Sequence, residues 1–129
     1  MEDTLRETNT AEPALVPLAL AALLGDHKGI DVLVLDLQKM GAWTDYFVIA
    51  TATSDTHLDG LERHIKNFCV QRDIEILRRS RKPHGEDEWR IIDLGPTVIH
   101  LMSRRARTFY DLERLYSMAL TVPPDAPAK

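Results

Sequence analysis

Two short stretches, "DVLVLDL" at 31–37 and "DYFVIAT" at 45–51, restrict this chain more than any other feature. Each is a near-continuous run of Val, Leu, Ile or aromatic residues, too short for a typical helix and without the polar alternation of a half-exposed strand. Runs of this kind read as strands buried on both faces of a sheet. Such strands need other elements packed over them, and the chain must supply those elements from its own 129 residues.

The flanking segments do so. A first helix is expected to begin near Pro17, a favourable first-turn position, and to run to Gly25 or slightly beyond. Ser54 or Asp55 caps a second helix in which Leu58, Leu61, Ile65 and Phe68 recur at three- and four-residue spacing, ending near Asp73. "IEIL" at 74–77 reads as a third strand and "RRSRKPHGEDE" at 78–88 as a polar, basic loop. "WRIIDL" and "TVIHLM" flank Gly95-Pro96, the pattern of two strands joined by a tight turn. A last helix over 106–119 closes the order. The expectation is an α/β fold with a single mixed β-sheet of about five strands and packed helices. It occupies 13–120, with a disordered acidic tail at 1–12 and a disordered Pro-rich tail at 121–129.

Composition excludes several classes. With 44% hydrophobic residues, 28% charged residues and a net charge of -4, the chain has the make-up of one globular domain. The apolar run at 14–24 contains Pro17 and falls short of the roughly 20 residues needed to span a bilayer, so no membrane anchor is expected. The first 12 residues resemble neither a transit peptide nor a secretory signal, which points to the cytoplasm. Cys69 is the only cysteine, excludes an internal disulfide and is expected to be a buried, inert thiol.

Catalytic patterns are missing. His57 and His64 share a helix face but stand ~10 Å apart, too far to hold one ion, and no metal or cofactor is expected. The strand-to-helix turn "TATSDTH" lacks the glycines of a phosphate-binding loop. The carboxylates that could serve two-metal chemistry are the loop cluster at 86–88 and the pair Asp55 and Asp59, one helical turn apart, and both are also ordinary surface patterns. Ser54 has no nucleophile elbow. No catalytic residue is assigned, and the protein is expected not to be an enzyme.

Surface features remain. The stretch 78–82 carries four cations, Arg78, Arg79, Arg81 and Lys82, which suit either RNA phosphates or a solvated face. If Gly95 and Pro96 form a two-residue turn, alternation places Trp89, Ile91 and Asp93 on the same sheet face as Val98, His100 and Met102. In "RTFYDLERLY", a continuous helix puts Phe109, Leu112, Leu115 and Tyr116 on one side and Arg107, Tyr110, Asp111 and Arg114 on the other. Tyr110 among the charges is not explained by a core. Trp89, Tyr110, Arg107 and Arg114 fit an interface patch as well as they fit a core, because Trp, Tyr and Arg are enriched at interface centres.

Three segments, "DYFVIATATSDTHLDGL", "WRIIDLGPTVIHLM" and "RTFYDLERLY", resemble the ribosomal silencing factor family, RsfS, also called Iojap. The matching residues are Asp45, Ser54, His57, Trp89, Asp93, Gly95, His100, Arg107, Tyr110, Leu112 and Glu113. The resemblance implies a nucleotidyltransferase-like fold without the catalytic site. It also implies a cytoplasmic protein, of a kind often homodimeric in bacteria, that binds the large ribosomal subunit through its universal protein L-fourteen and sterically blocks joining of the small subunit. Trp89, Arg107, Tyr110, Glu113 and Arg114 then become the partner-binding residues, while Asp93, Gly95 and His100 organise the hairpin. The chain departs from the family pattern at Ala52, where glycine is usual, at Tyr116, where tryptophan is usual, and in the loop "KPHGEDE".

Two other functions compete with this one. A divergent nucleotidyltransferase would depend on a divalent metal and on Asp55 or Asp59. An RNA-binding ribosome maturation factor would contact ribosomal RNA through Arg78, Arg79, Arg81 and Lys82, with steep salt dependence.

Overall fold

The computed structural model of the chain describes residues 15–81 and 88–122, Arg81 by its backbone alone. The expected acidic tail at 1–12, Lys82 and the carboxylates Glu86 and Asp87 lie outside the described residues. Six strands form one mixed sheet: β1 (Ile30–Asp36), β2 (Tyr46–Ala52), β3 (Arg78–Arg81), β4 (Trp89–Asp93), β5 (Thr97–Ser103) and β6 (Leu120–Val122), in the order β3-β4-β5-β2-β1-β6. β2 and β5 run parallel, and the other neighbours are antiparallel. Four helical segments accompany them among the described residues: α1 (Leu15–Asp26), α2 (Asp55–Gln71), α3 (Arg104–Tyr110) and α4 (Leu112–Leu115), besides a 3-10 turn at Gln38–Met40.

The apolar runs form the centre of the sheet, as their composition predicts. All seven residues of β2 are buried. Side-chain alternation sends Tyr46, Val48 and Ala50 of β2 and Ile99 and Leu101 of β5 to one face, where they meet Leu20 and Leu24 of α1 and Leu58, Leu61, Ile65 and Phe68 of α2. Cys69 is buried in the same layer, and burial pushes its thiol pKa up. Phe47, Ile49, Val98, Met102 and Trp89 project to the other face, where Ala106 of α3 and Leu112 of α4 cover them. Ser54 caps α2, its hydroxyl accepting the His57 amide at 3.0 Å.

The hairpin has the expected register, with Trp89 opposite Met102, Ile91 opposite His100 and Asp93 opposite Val98. Asp93 Oδ1 accepts the Gly95 amide at 2.8 Å, and Gly95 takes φ +99°, a conformation that residues with a Cβ rarely adopt. Thr44 Oγ1 donates to the Gly95 carbonyl at 2.7 Å, and the amides of Asp45 and Tyr46 donate to that of Pro96, so the turn is fastened to the start of β2.

Four expectations are corrected. Residues 74–77 are not a strand: Ile74 and Ile76 are half-buried against the helix-covered core while Leu77 is exposed. The strand is the arginine-rich segment that follows, read from sequence as a loop. It pairs with β4 at the sheet edge, where the ladder hydrogen bonds come from the backbone. The last helix is not continuous over 106–119, because Asp111 takes φ 49° and ψ 56° and separates α3 from α4. Short Asp and Asn side chains tolerate this left-handed conformation better than most residues. The chain then turns back into β6, a sixth strand antiparallel to β1 that includes Thr121 and Val122 of the expected tail.

Candidate functional site

The break at Asp111 shapes the second face of the sheet. Ser103 caps α3, its hydroxyl accepting the Ala106 amide at 3.0 Å and donating to Glu88 at 2.7 Å. Arg105 donates to the same carboxylate at 2.7 Å, so Glu88, just before β4, fixes the angle at which α3 leaves β5. Arg107 then reaches back under the helix. Its Nη1 donates to Thr51 Oγ1 on β2 at 2.9 Å, and its Nε donates to Glu113 Oε2 at 2.9 Å. The Arg107–Glu113 pair spans the break and ties α4 to α3 and both to the sheet.

Burial pushes the Glu113 carboxyl pKa up, but hydrogen bonds from Arg107 and from its own backbone amide, together with the Arg107 charge, outweigh that and hold it below the ordinary value.

Trp89 begins β4 and is buried. Its indole N–H donates to His100 Nδ1 at 3.1 Å, which assigns the imidazole proton to Nε2. Nε2 is buried without a hydrogen-bond partner, and the ring stands edge to face with Phe47, centroids 4.4 Å apart. Burial pulls the His100 pKa down to about 4, so the ring is neutral at physiological pH. Tyr110 packs against Trp89, centroids 4.5 Å apart, and Phe109 meets Tyr110 edge to face at 4.9 Å. His100, Trp89, Tyr110 and Phe109 therefore form an aromatic series that runs from the core to solvent, ending in Tyr110 at 38% and Phe109 at 78% exposure.

The site residues expected from sequence thus occupy different levels. Tyr110 and Arg114 are at the surface, Glu113 is half-buried, and Trp89 and Arg107 lie beneath them. Trp89 and Arg107 support Tyr110 and Glu113 from below and are not themselves displayed. Asp93 and His100 make the hydrogen bonds described above, and Asp93 also faces Arg78 at 3.6 Å.

Sequence reasoning missed the exposed apolar set. Phe109 and Leu115, assigned to a buried stripe, are exposed, as are Met118, Leu120 and Trp43. Trp43 touches Phe47 edge on, and Tyr116 packs on the same ring at 4.9 Å, half-buried. For Phe109 and Leu115 the signal is Asp111, whose tolerance of positive φ ends the helical periodicity on which the stripe was counted.

The histidines on α2 and Asp59, noted in the sequence, are engaged in contacts within the protein. His57 Nδ1 accepts the Thr53 amide at 3.0 Å and its Nε2 donates to the His27 carbonyl at 2.9 Å, while His27 and His64 stack with centroids 3.5 Å apart. Among the described residues no three His, Cys, Asp or Glu side chains are grouped so as to hold a metal. Asp59 accepts from Arg90 Nη1 at 2.6 Å, and the same guanidinium nitrogen reaches Glu62 at 3.3 Å. A carboxylate so engaged is poorly placed to hold catalytic cations. No described helix is long and apolar enough to cross a membrane.

Comparison with known proteins agrees with the sequence resemblance. Residues 9–129 match the family model described as "RsfS: Ribosomal silencing factor during starvation". The chain is 34% identical over 102 residues to the ribosomal silencing factor RsfS of Treponema pallidum, covering 79% of this chain and 90% of that one. It is 30% identical over 119 residues to the chloroplastic protein Iojap of Arabidopsis thaliana, covering 92% of this chain but only 49% of that longer relative. A crystal structure of a protein from Chromobacterium violaceum superposes with a TM-score of 0.68 at 28% identity, over 77% of this chain and 82% of that one. A match across nearly the whole chain and a shared fold lead to one conclusion: the chain belongs to the RsfS/Iojap family of ribosomal silencing factors.

Proposed function

We propose that this protein is a ribosomal silencing factor that works by binding and not by catalysis. It docks on the large ribosomal subunit through the universal protein L-fourteen and blocks association with the small subunit, repressing translation. The observation that carries this reading is the aromatic series ending in Tyr110 and Phe109. A rigidly supported tyrosine beside exposed apolar side chains and an exposed arginine, Arg114, is the composition of an interface centre. Tyr110, Glu113 and Arg114 are the proposed contacts. Trp89 and Arg107 act through them, Trp89 by fixing the Tyr110 ring and Arg107 by holding Glu113.

The test is co-sedimentation with separated large and small subunits. The parent is expected in the large-subunit fraction alone, and Tyr110→Ala is expected to weaken that binding about thirtyfold, the effect of losing an anchor worth about 2 kcal/mol. A parent that ignores both subunits would overturn the proposal.

A further inference from the structure

A second charged surface lies between α2 and β3. Glu62, nearly buried, accepts from Arg79 at 3.1 Å through one oxygen and from Arg90 at 3.3 Å through the other, and Asp59 accepts from the same Arg90. Arg90 is only 3% exposed and forms the floor of this network. Two arginines thus offset two carboxylates. Above the floor opens a pocket of about 230 Å³ lined by Asp59, Glu62, Arg63, Lys66 and Arg79. Arg63 and Lys66 are exposed and make no ion pair among the described residues. Three apart on α2, they stand one above the other, facing Arg79 across the pocket. Among the described side chains the site therefore carries two cations beyond neutrality, and Arg78 on the adjoining edge strand adds another at 77% exposure.

We infer that this pocket binds a phosphate of an RNA backbone, with Arg63 and Lys66 as the contacting cations and Arg79, held by Glu62, between them and the strand edge. The inference rests on the large-subunit reading for the source of the RNA. The chemistry of the lining decides between partner classes. All five lining residues are charged, so the pocket lacks the apolar centre that a protein partner needs, whereas polar, positively charged surfaces are what nucleic acid contacts use. A guanidinium fork also matches phosphate oxygens in pairs. The inference moves the basic contact from the run at 78–82 to α2: Arg79 is already committed to Glu62, and the unpaired charge belongs to Arg63 and Lys66.

The test uses the full chain, a 12-nucleotide single-stranded RNA and, separately, large ribosomal subunits, each from 50 to 200 mM salt. The variant is the double substitution Arg63→Gln, Lys66→Gln, which removes two exposed side chains and leaves the Arg90 network intact. Because the variant no longer neutralises that one phosphate, the parent should fall about 2.6-fold more in RNA affinity than the variant across that salt range. An unchanged salt dependence, or no RNA binding by the parent at 50 mM salt, overturns the inference.

If the variant loses binding to poly-glutamate while keeping RNA binding, the pocket serves an acidic protein and the RNA assignment is overturned. The two proposals fail separately. Subunit binding that depends on Tyr110 and ignores Arg63 and Lys66 would sink the pocket alone. RNA binding lost in the double variant by a parent that ignores large subunits would support the pocket and sink the docking proposal.

Discussion

The two faces of the sheet are built to different degrees of closure. One is covered by α1 and α2, of 12 and 17 residues, whose buried apolar residues meet those of the sheet in a continuous core. The other has α3 and α4, of 7 and 4 residues, joined at a left-handed aspartate and held down by single polar contacts: Ser103 to Glu88, and Arg107 to Thr51 and Glu113. The closed face displays charge outward on α2 and supplies stability. The half-closed face leaves Phe109, Leu115 and Met118 in water, which contributes nothing to an isolated monomer and suits a surface that meets a partner.

This division breaks most visibly under truncation of the closed face. Leu61 on α2 is fully buried, so Leu61→Ala should cost about 4 kcal/mol, the transfer energy of the lost side chain plus the cavity it leaves. Urea denaturation should show the loss as a lowered midpoint without a change in slope. A loss under about 1 kcal/mol would mean that the closed face is not the source of stability.

A pH titration sharpens the comparison from the other side. His100 lies under the half-closed face with a pKa of about 4, against about 6.5 when unfolded. Between those values the unfolded chain binds a proton that the folded chain refuses. The His100 contribution is therefore fully present above about pH 6.5, declines as the pH falls, and is gone at about pH 4. Its size is about 3 kcal/mol by linkage. His100→Gln, which keeps an acceptor for the Trp89 N–H, should flatten the stability curve in that window. A parent and variant that lose stability in parallel would place the acid sensitivity elsewhere.

The same two faces explain what could be read from sequence. The central strands and the hairpin register were legible because composition and alternation both point inward there, and Gly95-Pro96 leaves one sensible turn. The edge strand β3 was not, because Arg78 to Arg81 pair through backbone that side-chain hydropathy does not report. The break at Asp111 was hidden for a related reason. A left-handed aspartate is locally unfavourable, and only tertiary contacts, the burial of Leu112 and the Arg107–Glu113 pair, offset it. Tyr110 was conspicuous in sequence as an aromatic among charges. Phe109 and Leu115 were not, because the unbroken helical count placed them on the apolar side of a helix that in fact breaks one residue beyond Tyr110.

The smallest effect tests the half-closed face most directly. Phe109 is 78% exposed and its ring meets Tyr110 edge to face, so Phe109→Ser removes little buried area from the folded protein. Its effect on stability should stay within about 0.5 kcal/mol, as for surface substitutions remote from a cap or buried pair. Large-subunit binding should nonetheless weaken by about fivefold, because at an interface the same ring would be withdrawn from water. Measured together, the two quantities separate a docking residue from a packing one. Unchanged stability with weakened binding places Phe109 in the contact with Tyr110. Loss of stability by more than about 1 kcal/mol would make it part of the core after all, beyond the range of an ordinary surface substitution. The contrast between the two faces would then reduce to a difference in helix length.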